Sequence, residues 1–271
     1  MEDNPINRRV AMEMLNAAGM AVDCAENGLE ALAAVRNRTF DAVLMDVQMP
    51  KMDGLEATRR IRRDLHLTDL PVIALTAHAM AEDKKECMAA GMNDHITKPI
   101  DRATLFAVLD RLISARAQGA ASSAARPVFP GPPTQDLPVD APGLNLAEGL
   151  ERLGGDWDLY LELLGEYCHA YGDFGSQFKR IMLQEDMAAA RRHAHSLKGA
   201  AGNLAATDLF LAAQSLEQAC RNADMEAVER HLPDVESALA QVIRSRDRIA
   251  AAALSGCGCD PILQNPSHRP G

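Results

Sequence analysis

Between residues 118 and 143 the chain reads QGAASSAARPVFPGPPTQDLPVDAPG, and there every apolar periodicity disappears. Proline and small residues dominate the stretch, which is the composition of a semi-flexible linker. This break constrains the fold strongly, because the patterns on its two sides differ in kind. Residues 1–117 alternate helical and strand-like patterns, which predicts an α/β domain with a parallel sheet. From Leu144 to Leu254 the apolar spacing is helical throughout, which predicts an all-α bundle. Residues 255–271, SGCGCDPILQNPSHRPG, read as a disordered tail.

Charge and composition narrow the classes further. The formal net charge of −10 argues against a nucleic-acid-binding surface. No apolar run approaches the roughly 20 residues of a membrane span, and no signal peptide opens the chain, so the expectation is a cytoplasmic protein without direct membrane insertion. Cys24, Cys87, Cys168 and Cys220 sit in apolar or helical patterns and read as reduced, buried thiols. Cys257 and Cys259 have no further Cys or His near them to complete a metal site.

Within the first domain, Asn4-Pro5 caps and starts a helix that Gly19 stops. Val22 to Ala25 reads as a short strand, and Asn27 caps a second helix reaching Val35. The runs DAVLMD and PVIALT are continuous enough to be strands buried on both faces. Helices are expected from about Leu55 to Arg63, from Ala81 to Ala90, and from beyond Asp101 to about Arg116, with a strand from His95 to Thr97.

This order gathers polar groups at one edge. Glu2 and Asp3 precede the first helix, Asp46 ends one buried strand, Thr76 ends the next, and Lys98 follows the last. Parallel sheets of this kind bind ligands beyond the carboxyl ends of their strands. Clustered carboxylates repel one another, and Mg2+ would relieve that repulsion while accepting phosphate oxygens. Asp46 would then attack phosphorus, with Lys98 and Thr76 holding the phosphoryl oxygens. Singly, an acid at a strand end is more often a helix cap or a solvated turn, and Lys-Pro is usually a loop. The ordered combination is far more specific.

The segments EDNPINR, LMDVQMPKMDG, ALTAHA and HITKPI resemble the successive signatures of response-regulator receiver domains, over nearly all of residues 1–115. The resemblance implies a flavodoxin-like, doubly wound parallel sheet. It implies Asp46 as phosphoacceptor, Glu2 and Asp3 as the acidic magnesium pair, and the Gln48 backbone carbonyl as a further metal ligand. Thr76 matches the switch hydroxyl, Lys98 the family's lysine, and Lys98-Pro99 should be cis. Two departures stand out. His95 occupies the position where many members carry Tyr or Phe. Only Met1 precedes Glu2, where the family places an apolar strand in the middle of the sheet. The expectation is therefore an N-terminally truncated receiver, a fragment or a misassigned start, whose domain alone would not be stable.

In the second domain the informative stretch is AAARRHAHSLKGAAGNLAA. At about 100° per residue, Ala190, Ala194, Leu197, Ala201 and Leu204 share a core face. Arg191, His195, Lys198, Gly199 and Gly202 fall nearly opposite, which predicts a solvent-facing His195, while His193 falls near the apolar side. Glycine inside a helix costs about 1 kcal/mol against alanine, so two of them beside His195 suggest room for a partner's close approach. Spacing alone leaves a nucleophilic imidazole and an ordinary surface histidine equally open. HSLKGAAGN resembles the signature of histidine-containing phosphotransfer (HPt) domains, which are four-helix bundles, and the likeness covers about residues 145–245 with the leading GLNLAEGLERLGG. It implies His195 as the phosphorylated residue and Lys198 as its partner. Ala205 stands where the family often has glycine, and His169 and His193 match no functional position.

Three rivals fit less well. No Gly-rich phosphate loop is present for an ATP-driven kinase. A phosphatase of the haloacid dehalogenase type wants an aspartate where Gln48 stands. A DNA-binding regulator wants a basic recognition helix. The sequence reads as a two-component phosphorelay protein resembling the C-terminal part of a hybrid sensor histidine kinase. Asp46 would accept phosphoryl from a kinase core, on the same parent chain or another, and His195 would pass phosphoryl groups to a downstream response regulator.

Overall fold

The computed structural model describes residues 1–77, 81–117 and 141–256. The linker expected at 118–143 and the tail expected from 255, with Cys257 and Cys259, lie almost entirely outside the described residues.

Helix α1 (Pro5–Ala17) starts where its cap dictates: the Asn4 side chain accepts from the amides of Ile6 and Asn7, and Pro5 occupies the first turn. Asn27 caps α2 (Gly28–Asn37) in the same way. Three parallel strands follow, β1 (Val43–Asp46), β2 (Val72–Thr76) and β3 (Asp94–Thr97), in the order β1-β2-β3. Between and after them run α3 (Gly54–Arg63), α4 (Ala81–Ala89) and α5 (Arg102–Ala117). Every residue of β2 is buried, as its unbroken apolar run requires. Its side chains alternate between two helix layers: Ile73 and Leu75 join Ile6, Val10, Leu105 and Leu109, while Val72 and Ala74 join Val35, Ala57 and Ile61. The register pairs Asp46 with Leu75 and Thr76 with Thr97, so the strand ends that carry polar groups emerge at one edge. Lys98-Pro99 is cis.

Val22–Ala25 is not a strand, contrary to expectation. A strand exists by its ladder, and the ladder bond to this stretch is a single one, from the Glu2 amide to the Ala25 carbonyl at 3.1 Å.

Gly54, at the start of α3, lies directly under the end of β1: a Cβ there would strike the backbone carbonyl oxygen of Asp46. The obstacle is backbone and cannot swing aside, so Gly54→Ala should destabilise the domain by about 1–3 kcal/mol and displace Asp46. Urea titration of the variant, with an unshifted midpoint as the contrary result, measures this.

The second unit contains α6 (Leu146–Arg152), α7 (Trp157–Tyr171), α8 (Phe174–Leu183), α9 (Met187–Asn203), α10 (Thr207–Arg221) and α11 (Met225–Gly256). Its core takes Tyr160, Tyr167, Phe174 and Phe178 from α7 and α8, set against Ala190, Ala194, Leu197, Ala201 and Leu204, all fully buried. His193 stacks on Phe174 with ring centroids 4.5 Å apart, and burial lowers its pKa, as suits a packing residue. Ala205 closes α9 with φ +54°, a left-handed conformation in which glycine is at ease and alanine is strained by about 1 kcal/mol. The alanine at this position is therefore not neutral.

Cys87, Cys168 and Cys220 are free and buried, but Cys24 is exposed, which corrects the expectation for that residue. Among the described residues, no helix is long and apolar enough to cross a membrane.

Candidate functional site

At the sheet edge the buried Lys98 ammonium joins two carboxylates, 2.6 Å from Glu2 Oε2 and 2.5 Å from Asp46 Oδ2. The Gln48 amide donates to Asp46 Oδ1 at 3.0 Å. Asn7 donates to Glu2 Oε1 at 3.1 Å. Asp3 completes the acidic group: Glu2, Asp3 and Asp46 each offer an oxygen within 4.8 Å of the others. Burial, and then the Glu2 charge, push the Asp46 carboxyl up to about 8 against the pull of Lys98. Burial likewise raises Asp3, with Glu2 adding to it. With all three carboxylates ionised, the Lys98 and Met1 ammonium groups would leave the cluster short of positive charge, which is why Asp46 holds its proton in the absence of a cation. Hard oxygen donors with excess negative charge are the donor set a Mg2+ ion takes. Thr76 is buried and lines the same small cavity, about 30 Å³, as Asp46 and Gln48. His95 is partly buried, with Nδ1 3.4 Å from Asp94 Oδ1.

His195 also lines that cavity, together with Arg221. It does not face solvent as the helical wheel predicted: only 8% of it is exposed, and Lys198 is 1% exposed. A helical wheel describes an isolated element, and here the face opposite the core is covered in part by α10, through Glu217, and in part by the α/β domain, through Asn7 and Pro99. The structure thus brings Asp46, Thr76, Gln48 and His195 around one space. Lys198 stands beside His195, bonded to Glu217.

Glu217 was not singled out by the sequence reading. His195 Nδ1 lies 2.9 Å from Glu217 Oε1, and Lys198 Nζ pairs with Glu217 Oε2. Burial alone would raise the Glu217 carboxyl, yet the hydrogen bond and charge of His195, followed by Lys198, hold it at about 2. Glu217 is therefore an acceptor and Nδ1 the donor, and in the neutral tautomer that satisfies this bond the lone pair is on Nε2. A signal was present: Leu209, Ala213, Leu216 and Cys220 form the buried stripe of α10, and Glu217 is a lone charge within it. Glu217→Ala strands a buried lysine, so the bundle should lose about 3 kcal/mol, read as a lowered urea midpoint.

The two units meet through α1. Asn4 Nδ2 donates to Tyr171 Oη at 2.8 Å and to the Ser196 carbonyl at 3.1 Å. Asn203 donates to Asn7 Oδ1 at 2.9 Å. At the rim, Arg9 reaches Glu162 at 2.7 Å and Glu166 at 2.6 Å. The helix glycines make this approach possible: a Cβ on Gly199 would stand 2.8 Å from Asn7 Nδ2, and one on Gly202 3.2 Å from Pro99 Cβ. The close approach expected of a partner is made by the chain's own first domain.

Comparison with known proteins supports this two-part organisation. The family profile described as response regulator receiver domain matches residues 1–110, and the Hpt domain profile matches residues 162–245. The sensor histidine kinase GacS of Pseudomonas protegens is 33% identical over 232 residues, which is 84% of this chain and 24% of that protein. The signal transduction histidine-protein kinase BarA of Escherichia coli K12 is 27% identical, covering 93% of this chain and 26% of that one. The chain thus spans about a quarter of the length of these curated relatives. Among solved structures, the magnesium-bound receiver domain of sensor histidine kinase PA1611 from Pseudomonas aeruginosa is 41% identical, over 42% of this chain and 93% of that one, with a TM-score of 0.40. The chain therefore carries a response regulator receiver domain followed by an Hpt domain, the pairing found in its hybrid histidine kinase relatives.

Proposed function

We propose that this chain is a phosphorelay segment in which Asp46 accepts a phosphoryl group from a kinase phosphohistidine and His195 takes it onward. The observation that carries this reading is the shared cavity: the strand-end carboxylate and the imidazole line one small, partly open space. In the first step an Asp46 oxygen attacks phosphorus, a P–O bond forms, and the donor's P–N bond breaks to return its imidazole. In the second, the Nε2 lone pair of His195 attacks the same phosphorus, a P–N bond forms, and the Asp46 carboxylate leaves with the electrons of the P–O bond. The protein's contribution would be positioning: Glu217 accepts from Nδ1 of the imidazole, while Lys98, paired with Asp46, and Thr76, which lines the cavity, would hold phosphoryl oxygens. Glu2, Asp3, Asp46 and the Gln48 carbonyl would hold Mg2+, whose charge would offset that developing on the phosphoryl oxygens. From His195 the group would pass to an aspartate of a separate response regulator, so the partners are a kinase core and that regulator.

The experiment is transfer of radiolabel from a phosphorylated kinase core to the chain. Label should appear first in an acid-stable, base-labile acyl phosphate and then in an acid-labile, base-stable phosphohistidine. Label on neither residue overturns the reading.

The acidic cluster gives a second test. A folded-state pKa for Asp46 of about 8 against 3.8 for the free group means that the native state holds the extra proton between those values. Stability in the absence of divalent cations should therefore fall as pH rises from about 4 to 8. With roughly 10 mM MgCl2 the cation binds the ionised native form and the decline should flatten. Thermal melts with EDTA or with Mg2+ across this range measure both slopes, and equal slopes would contradict the metal assignment.

A further inference from the structure

A path of polar contacts leaves the Hpt domain and ends on the phosphoacceptor. Asn203, the last residue of α9, donates from Nδ2 to Asn7 Oδ1 at 2.9 Å, and Asn7 donates from its own Nδ2 to Glu2 Oε1 at 3.1 Å. The other Glu2 oxygen meets Lys98 Nζ at 2.6 Å, and Lys98 meets Asp46 at 2.5 Å. All five residues are buried.

Chemistry fixes the direction of this path. A carboxylate paired with a lysine only accepts, so the Asn7 amide turns its nitrogen to Glu2 and its oxygen to the Hpt domain. That buried oxygen needs a donor, and Asn203 supplies it. Turning the Asn203 amide over would set oxygen against oxygen, so Asn203 Oδ1 stays buried without a hydrogen-bond partner among the described residues. Gly199 leaves α9 bare where the Asn7 nitrogen lies, and a Cβ there would stand 2.8 Å from it. Docking therefore also closes the space into which the Asn7 amide would turn. Asn4, next to Asp3 in the chain, is tied to the same domain through Tyr171 and the Ser196 carbonyl.

Glu2 is one of the three carboxylates whose oxygens gather within 4.8 Å. Groups that orient a metal's ligands from behind are worth about 10–100-fold in metal affinity. Asn7 is such a group for Glu2, and the residue that fixes Asn7 comes from the other domain. We infer that the Hpt domain completes the outer shell of the receiver's cation site through Asn203 and Asn7, so that Mg2+ binding and domain docking reinforce each other. The inference rests on the Mg2+ reading given under the proposed function and adds a regulation to that site. Linkage makes the factor equal in both directions: whatever docking adds to Mg2+ affinity, Mg2+ adds to the docked population. The cation that readies Asp46 thus also draws His195 up to it.

Calorimetric titration of Mg2+ into the full chain reads the coupling. Asn203→Ala should weaken Mg2+ binding at least about fivefold, the lower end of ordinary coupling between sites. Asn7→Ala should weaken it at least as much, and adding Asn203→Ala to that variant should change nothing further, because the path is already cut. Arg9→Glu opens the contact from its exposed rim, where Arg9 meets Glu162 and Glu166, and keeps the test decisive if Asn203→Ala disturbs the bundle. It adds negative charge, which by itself attracts a cation, yet Mg2+ binding should weaken about twofold or more. Unchanged or tighter binding by Arg9→Glu overturns the inference. So does wild-type affinity in Asn203→Ala, or an Asn203→Ala effect that persists in full without Asn7. In each of these cases the wild-type chain still binds Mg2+ and the metal reading stands; a wild-type chain that binds no Mg2+ removes both.

Discussion

His195→Gln should abolish onward transfer from this chain while leaving Asp46 labelling intact. Glutamine is chosen because its amide can still donate to the buried Glu217 carboxylate, which otherwise loses a partner 2.9 Å away. The fold is thus preserved and only the nucleophilic nitrogen is removed. Among the described residues lining the cavity, the other side-chain nitrogens are the Gln48 amide and the Arg221 guanidinium, neither of them nucleophilic, so transfer to a downstream receiver should drop by about 10³-fold or more. Gel-resolved transfer of label from kinase to chain to regulator reads both steps. Regulator labelling at the wild-type rate would remove His195 from the route.

The second large effect is expected at the other stop. Asp46→Asn should eliminate acyl phosphate formation, because an amide oxygen is a poor nucleophile toward phosphorus. It should also change stability in a direction that an ordinary active-site deletion would not. Burial and the neighbouring Glu2 charge oppose ionisation of Asp46, so a neutral isostere removes a repulsion that Lys98 only partly offsets. At pH 8 without Mg2+, Asp46→Asn should melt higher than the wild type; a lower melt at that pH would argue that the Lys98 pairing dominates. Mixing the Asp46→Asn and His195→Gln chains then separates routes within and between molecules. The geometry favours transfer within one chain, so the mixture should relay at least about tenfold more slowly than wild type at equal, dilute concentration.

The sequence revealed local structure well and neighbour-dependent structure poorly. Caps at Asn4 and Asn27, the buried runs ending at Asp46 and Thr76, and the apolar face through Ala194, Leu197 and Ala201 are written in residues close together in the chain. Each appears where its pattern places it. Val22–Ala25 has the composition of a strand, but strand identity depends on a partner that composition cannot supply. His195 was misjudged for a related reason. A periodicity argument distinguishes the core face from its opposite, yet it cannot tell an outer face in water from one covered by another domain. Glu217 belongs to a third kind: its role arises from two residues 22 and 19 positions away, brought together only when α9 and α10 pack.

The rim of the domain contact has a consequence of its own. Arg9, Glu162 and Glu166 are each between 32% and 56% exposed at the side chain, whereas the amide contacts of Asn4 and Asn7 are buried. Mobile ions reach the first group and not the second. At 0.15 M ionic strength the field of the rim charges fades over about 8 Å, so salt weakens the long-range attraction that draws the domains into register but spares the uncharged contacts that hold them once aligned. Ionic strength should thus act chiefly on how fast the two halves find each other, and only weakly on how long they stay together.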